Sequence, residues 1–164
     1  MNTLIIYDSA YGNTAKVAYV IENEASAFGK VKHVMAKDFK PSDTAEVDVM
    51  FIGSPTQGGR PTQPISDLVN SLASDVYKRI PVATFDTRFA TDDHGFGLKL
   101  LMKTIGFASP KIAASIKHKS GHILGSPAGF IVDDEKGPLL EGELKRTAEW
   151  TKKILTKFKS DAAV

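Results

Sequence analysis

The stretch Tyr7-Asp8-Ser9-Ala10-Tyr11-Gly12-Asn13-Thr14 separates an apolar run from a segment with helical periodicity. The apolar run, Leu4-Ile5-Ile6, predicts a short buried strand. After the stretch, apolar side chains recur at spacings of three and four residues, which predicts a helix: Ala18, Ile21, Ala25 and Phe28. The stretch therefore lies at a strand-to-helix turn, which is where a parallel α/β sheet binds phosphate.

The composition of the 164 residues is typical of an ordinary globular domain, with 42% hydrophobic and 24% charged residues. Twenty-one Lys and Arg residues against nineteen Asp and Glu residues leave a formal charge of only +2. This charge does not indicate nucleic acid or an anionic membrane as a partner, and we expect neither. The absence of cysteine excludes disulfides, thiolate metal sites and thiol catalysis, so redox chemistry needs a bound cofactor.

No secretory or membrane-spanning segment is indicated by the sequence. The first apolar run follows no basic region and is stopped by Asp8, which does not fit a signal peptide. No apolar stretch approaches the ~20 residues that a membrane-spanning helix needs. We therefore expect a cytoplasmic protein without membrane insertion. The histidines are dispersed along the chain, so we expect no metal site.

Four further segments predict strands: residues 31–35, 47–52, 80–85 and 123–132. The last is interrupted by Gly125-Ser126-Pro127, which predicts a strand that is kinked or split. Because the five strands alternate with helical segments, the sequence predicts an α/β fold: a doubly wound, five-stranded parallel sheet with helices on both faces. We expect one domain over residues 1–164.

The helical segments are less regular than the strands. The first helix is predicted at 13–28, one or two helical turns within 37–46, and the next helix from Pro64. Between 96 and 121 we predict two helices, the first carrying Leu98, Leu101, Met102 and Ile105 and the second capped by Ser109-Pro110. The C-terminal helix is predicted to bury one face, formed by Leu144, Ala148, Thr151, Leu155 and Phe158.

Three loops lie at carboxyl ends of predicted strands, at residues 8–14, 53–61 and 86–95. In such a sheet the ligand binds outside these ends, where the winding direction reverses, so we expect the loops to converge on one crevice. In the first loop Gly12 permits close backbone approach, and Ser9 and Thr14 offer hydroxyl groups. No Gly-Lys-Ser/Thr follows, and one glycine stands where a dinucleotide fingerprint needs three. The loop therefore favours a phosphate site of another kind.

The run Ile5-Ile6-Tyr7, followed by Ser9, Gly12, Thr14, Ala18 and Ile21, resembles the N-terminal signature of flavodoxins. The order of strands, loops and helices is similar to that family over essentially the whole chain. The resemblance implies a flavodoxin-like fold that binds flavin mononucleotide (FMN), with no catalytic residue and no metal. It implies that the phosphate binds Ser9, Ala10, Tyr11, Gly12, Asn13 and Thr14. It implies that the isoalloxazine ring lies among Pro55, Thr56, Gln57, Gly58, Gly59, Arg60, Asp86, Thr87, Arg88 and Phe89.

The chain also departs from the family pattern. Many flavodoxins stack an aromatic residue on the flavin from each ring-binding loop, whereas Gln57 takes that place here and leaves Tyr11 and Phe89 as candidates. Flavodoxins are typically very acidic, but this chain is nearly neutral and places Arg60 and Arg88 in the flavin loops. We hypothesise that one of these guanidinium groups stabilises the anionic reduced flavin and raises its potential. Gly58 resembles the family's glycine whose peptide can turn towards the reduced flavin.

Each of these features also has a purely structural interpretation. The first loop fits an ordinary capped helix N-terminus, and Gly58-Gly59 fits a surface turn. Arg60 and Arg88 fit solvated side chains or partners of a nearby carboxylate, namely Asp86, Asp92 or Asp93. His94 is a candidate for the edge of the flavin crevice, and Trp150 for core packing. The run Asp133-Asp134-Glu135 is interpreted as a solvated turn.

The resemblance implies an electron carrier that shuttles electrons between a reductase and an acceptor protein. Two alternatives stay open: an FMN-dependent NAD(P)H:quinone-type oxidoreductase, and a regulatory flavodoxin-like domain without flavin. The lack of a dinucleotide fingerprint favours the carrier over the oxidoreductase. The sequence indicates neither the particular redox partners nor the oligomeric state.

Overall fold

The computed structural model describes residues 1–90 and 106–162. It contains five strands: β1 (Asn2–Tyr7), β2 (Lys30–Met35), β3 (Val49–Pro55), β4 (Val82–Phe89) and β5 (Ala128–Val132). They form one sheet in the spatial order β2-β1-β3-β4-β5, and all neighbouring strands are parallel. This confirms the predicted doubly wound, five-stranded sheet. Because β2 and β3 lie on opposite sides of β1, the winding direction reverses there.

Five α-helices are described: α1 (Asn13–Ser26), α2 (Gln63–Ser71), α3 (Ser74–Arg79), α4 (Ala108–His118) and α5 (Glu143–Asp161). Short 3₁₀ turns at Ala36–Asp38 and Pro41–Thr44 confirm the helical turns predicted between 37 and 46. The predicted helix with Leu98, Leu101, Met102 and Ile105 falls outside the described residues. The helix α3 was not predicted, because six residues with a single buried side chain, Tyr77, give no periodic signal.

Two cores lie on the two faces of the sheet. On one face, α2 and α4 cover alternate strand residues such as Leu4, Ile6 and Ile52. On the other face, α1 and α5 cover Ile5 and the aromatic residues Phe51, Phe85 and Phe130. Continuous apolar runs are expected where a parallel sheet is covered on both faces, which is why β1 and β3 were recognisable in the sequence.

Trp150 of α5 contacts three phenylalanines of the sheet edge-on. Its ring centroid lies 5.6 Å from that of Phe51, 6.4 Å from Phe85 and 5.9 Å from Phe130. These are favourable geometries for aromatic packing. The predicted packing role of Trp150 is therefore what the structure shows.

The last strand is split, as predicted. The amide of Val82 donates to His122 O, and the amide of Leu124 donates to Val82 O, each at 2.8 Å. The chain then leaves the sheet at Gly125, whose φ is +64°, and pairs again with β4 from Ala128. Two short segments therefore pair with one strand.

The predicted buried face of the C-terminal helix was partly wrong. Leu144 is 42% exposed, whereas Thr147, Thr151, Ile154 and Leu155 are buried. The two threonines can be buried because each hydroxyl donates to the carbonyl four residues earlier, at 2.8 Å. Thr151 belonged to the predicted face, but Thr147 was missed because hydropathy counts threonine as polar. Within the described ranges, no helix has the length and hydropathy needed to cross a membrane.

Candidate functional site

A cavity of 510 Å³ opens at the carboxyl edge of the sheet, beside the point where the winding reverses. Its volume falls within the range of small-molecule sites, roughly 300–1,000 Å³. The carboxyl ends of the strands and the segments that follow them line it: Ala10, Tyr11, Asn13 and Thr14 after β1; Pro55, Thr56, Gln57 and Gly58 of β3 and its loop; Thr87, Arg88 and Phe89 of β4; and Val132, Asp134 and Glu135 of β5 and its loop. Of the predicted site residues, Ser9, Gly12, Gly59, Arg60 and Asp86 do not line the cavity.

Ser9 and Gly12 shape the first loop from outside the cavity. Gly12 has φ +87° at the residue before α1, a left-handed conformation that glycine adopts without strain. The Ser9 hydroxyl oxygen accepts hydrogen bonds from the amides of Gly12, at 3.1 Å, and Ala15, at 3.3 Å. Ser9 therefore closes the loop onto the first turn of the helix.

The remaining amides of this loop form an open cradle. Those of Ala10, Tyr11, Asn13 and Thr14 donate to no acceptor among the described residues. A Cβ atom placed on Gly12 would meet no atom within 4 Å. Amides at a helix start carry the positive end of the helix dipole, so the cradle can bind a phosphate without a lysine.

Side-chain contacts join the first loop to its neighbours. The hydroxyl groups of Thr14 and Thr87 lie 2.8 Å apart and are buried, which links α1 to β4. Asn13 Nδ2 donates to Lys136 O at 3.0 Å. The hydroxyl of Tyr11 donates to Glu135 Oε1 at 3.3 Å. The first loop is thus held against β4 and against the segment after β5.

The second loop is a two-residue turn. Gln57 and Arg60 exchange two backbone hydrogen bonds, at 2.9 and 3.0 Å, and the intervening glycines have φ +54° and +74°. Two consecutive positive φ values are typical of a type I′ turn and explain Gly58-Gly59. Gly58 faces open space in the cavity, whereas Gly59 is buried outside it. Arg60 is exposed and lines a separate groove between α2 and α4.

Arg88 is paired with Asp86, as in the structural interpretation of Arg88 as the partner of a nearby carboxylate. Arg88 Nε and Nη2 each donate to a carboxylate oxygen of Asp86 at 2.6 Å, and Nη2 also donates to Ser109 Oγ at 3.1 Å. The guanidinium carbon lies 3.8 Å from the ring centroid of Phe107. Asp86 is fully buried behind the cavity wall and holds Arg88 within that wall. The other predicted partners, Asp92 and Asp93, fall outside the described residues, as does His94.

The segment after β5 contributes to the cavity in a way that the sequence reasoning missed. Asp134 and Glu135 are exposed, as a solvated turn requires, but they also border the cavity with Val132. Since β5 is parallel to the other strands, its carboxyl end lies at the same edge of the sheet. The rule that selected the other three loops would have selected this one.

No group of three or more histidine, aspartate or glutamate residues in the described part of the chain could hold a metal ion. Among the described residues, the titratable groups that border the cavity are those of Tyr11, Arg88, Asp134 and Glu135. The charge of Arg88 is balanced from behind by Asp86. The described wall therefore combines backbone donors, hydroxyl groups, aromatic rings and two exposed carboxylates.

The chain is similar to known proteins both by family and by structure. The family model "Flavodoxin" matches residues 5–90. A search of curated protein sequences found no match. Among solved structures, the rubredoxin oxygen:oxidoreductase from the anaerobe Desulfovibrio gigas is similar with a TM-score of 0.76 at 14% identity. That alignment covers 99% of this chain but 37% of the other, so this chain spans little more than a third of its length.

Two further similar structures match along nearly their whole length. A flavodoxin from the domain Archaea has a TM-score of 0.64 at 15% identity, and the alignment covers 97% of this chain and 99% of that one. A flavodoxin from Megasphaera elsdenii has a TM-score of 0.65 at 21% identity, with 92% and 98% covered. At these identities, the structural likeness establishes the fold.

Proposed function

Because the chain belongs to the flavodoxin family, whose cofactor is FMN, we propose that it shuttles electrons between a reductase and an acceptor protein. FMN is accordingly its cofactor, and an FMN-binding electron-transfer role follows from the family. The proposal goes further, to a carrier that acts as one domain, passes electrons between two redox proteins and performs no substrate chemistry of its own.

The open amide cradle is the observation that carries this proposal. Four amides without a described acceptor surround a turn in which Gly12 has no neighbour on its Cβ side. The phosphate of FMN is a dianion that such a cradle can bind without a basic side chain. The fit is therefore to a phosphate monoester, and the cavity of 510 Å³ lies beside it.

The rest of the cavity suits the other parts of FMN. We propose that the ring is held between Gln57-Gly58 and the end of β4, where Thr87, Arg88 and Phe89 line the wall. Tyr11 and Phe89 supply the aromatic surface of the cavity. FMN brings one- and two-electron redox chemistry, which the side chains of a cysteine-free chain do not provide.

The oxidoreductase is the second candidate, and one residue favours it. Gln57 is exposed and lines the cavity where many flavodoxins place a stacking aromatic residue. A ring face without an aromatic cover would be accessible to a nicotinamide. The lack of a dinucleotide fingerprint in the sequence favours the carrier.

Two measurements test the function. Titration with FMN, monitored by the quenching of flavin fluorescence, should give one bound flavin per chain. Failure to bind would leave the flavin-free regulatory domain as the remaining candidate. Stopped-flow mixing of the loaded protein with NADH or NADPH should give no rapid bleaching of the flavin absorbance. Rapid bleaching by either nucleotide would contradict the pure carrier.

The cytoplasmic location stays a prediction, which cell fractionation can test.

A further inference from the structure

A groove of 290 Å³ lies between α2 and α4, immediately beside the flavin loops. Its apolar residues are Pro61, Val69 and Ile112, and uncharged polar side chains such as Ser66 and Ser115 border them. Such a mixture of apolar and polar side chains is typical of protein interfaces.

The groove carries charge of one sign. Arg60 and Lys111 line it, and no aspartate or glutamate of the described residues does. Neither cation makes an ion pair with a carboxylate in the described ranges. The nearby Asp67 of α2 lies outside the lining and accepts a hydrogen bond from Gln63 at 2.7 Å. A partner that seats here would bring carboxylates to these two cations.

The groove is connected to the flavin cavity through a single turn. Gly58 borders the cavity and Arg60, two residues later, borders the groove. Both walls of the groove are hydrogen-bonded to the end of β3 and the first residue after it. The amide of Thr62 donates to Ser54 Oγ at 2.9 Å before α2, and the amide of Ala108 donates to Thr56 Oγ1 at 3.0 Å at the start of α4. A protein seated in the groove therefore lies against the loop that borders the cavity.

We propose that this groove is the docking surface for an acidic redox protein, whose surface carboxylates pair with Arg60 and Lys111. The inference rests on the proposed electron-transfer function and specifies the class of its partner. It reverses the charge relation of acidic flavodoxins, which suit basic partners. Opposite charge at the rim of an interface acts mainly on the association rate, which then falls as salt is added.

The experiment uses the FMN-loaded protein and two probe proteins of opposite charge: an acidic [2Fe–2S] ferredoxin and basic cytochrome c. Reduced ferredoxin gives one electron to the bound FMN, and stopped-flow absorbance yields the second-order rate constant at several ionic strengths. Calorimetry with oxidised ferredoxin measures binding without electron transfer. The variant Arg60→Glu/Lys111→Glu is compared with Lys30→Glu/Lys153→Glu, which changes the net charge equally at exposed lysines of β2 and α5.

We expect the rate constant with ferredoxin to fall as salt rises, and the groove variant to lower it about tenfold at low ionic strength. The control variant should stay within about twofold of the unmodified protein, and Arg60→Lys should retain most of the rate because it keeps the charge. Unchanged rates and affinities in the groove variant would overturn the proposal, as would tighter binding of cytochrome c than of ferredoxin. FMN binding is measured first, so a failure of the proposed function is recognised separately.

Discussion

The guanidinium group of Arg88 is held by the carboxylate of Asp86 through two hydrogen bonds of 2.6 Å each. The side chain of Asp86 is fully buried and that of Arg88 is 16% exposed. The two residues lie two positions apart on β4, so their side chains project to the same face of the sheet. A positive charge in the wall of the cavity is therefore balanced by a negative charge directly behind it.

Removal of Arg88 should destabilise the fold. The variant Arg88→Ala leaves Asp86 buried without its partner, which typically costs about 3–5 kcal/mol. Urea denaturation at neutral pH measures this loss. Arg60→Ala removes an exposed arginine of the neighbouring loop and should change the free energy of unfolding by less than about 0.5 kcal/mol. Equal losses of unfolding free energy in the two variants would contradict a stabilising role of the Asp86–Arg88 ion pair.

The same pair predicts how the flavin potential responds. Arg88→Ala exposes the bound flavin to the uncompensated charge of Asp86, which disfavours the anionic reduced form and lowers the potential. The double variant Asp86→Asn/Arg88→Gln removes both charges and should lower it less. Redox titration of the loaded proteins gives the order. An equal shift in both variants would restore the simpler hypothesis, in which Arg88 acts on the flavin as an isolated cation.

Ser9 should matter for FMN binding through the shape of the loop. Ser9→Ala removes the oxygen that accepts from Gly12 and Ala15, and the loss of one such bond costs about 1 kcal/mol. We expect the dissociation constant of FMN to rise by roughly fivefold to tenfold in a fluorescence titration. Ser26→Ala, which removes an exposed hydroxyl bonded to Glu22 O at the other end of α1, is the matched control. FMN should bind this control as tightly as it binds the unmodified protein.

Glu143 should make the stability of the protein depend on pH in the acidic range. Burial opposes ionisation of this carboxyl, but Arg146 and the amide of Ile131, which donates at 2.6 Å, hold its pKa below the ordinary value. A depressed pKa contributes stability that is complete above the unfolded value of 4.5 and is lost as pH falls through the folded value.

The variant Glu143→Gln should therefore lose about 1.5–3 kcal/mol at pH 7, the usual contribution of a hydrogen bond to a charged group. The difference from the unmodified protein should shrink as the pH falls below 4.5. Denaturation curves at neutral and acidic pH measure it. Glu149→Gln, an exposed position on the same helix, serves as the control. A stability difference that does not change with pH would contradict the assignment to the ionised carboxylate.

The sheet and the family could be predicted because the relevant signals are local. Buried parallel strands require continuous apolar runs, and β1 and β3 have them. The phosphate loop needs a glycine with positive φ between a strand and a helix, and Gly12 meets that need within eight residues of sequence. The Flavodoxin match over residues 5–90 covers these same elements.

Other features depend on which side chains meet in the fold and on the geometry of a turn, which one sequence does not specify. Arg88 had three candidate carboxylates, and it is the two-residue strand spacing that brings Asp86 to the same face. Arg60 was assigned to the ring-binding loop, but the tight turn at Gly58-Gly59 places it in the adjoining groove. Glu135 reaches the cavity only because β5 is parallel to β1 and ends beside Tyr11.

The central claim, that the first loop binds the phosphate of FMN, is tested most directly by a pair of glycine substitutions. Gly12 and Gly142 precede α1 and α5 with φ +87° in both cases, and in neither would a Cβ meet an atom within 4 Å. Gly12→Ala and Gly142→Ala should therefore cost similar stability, roughly 1–2 kcal/mol each. Only the first adds a methyl group to the turn whose amides form the cradle.

The decisive measurement is the dissociation constant of FMN for the two variants, determined by fluorescence titration under the same conditions. We predict that Gly12→Ala weakens binding at least about tenfold, which corresponds to ~1.4 kcal/mol, while Gly142→Ala leaves it unchanged. Equal dissociation constants for both variants and the unmodified protein would contradict the account, because the phosphate would then bind elsewhere.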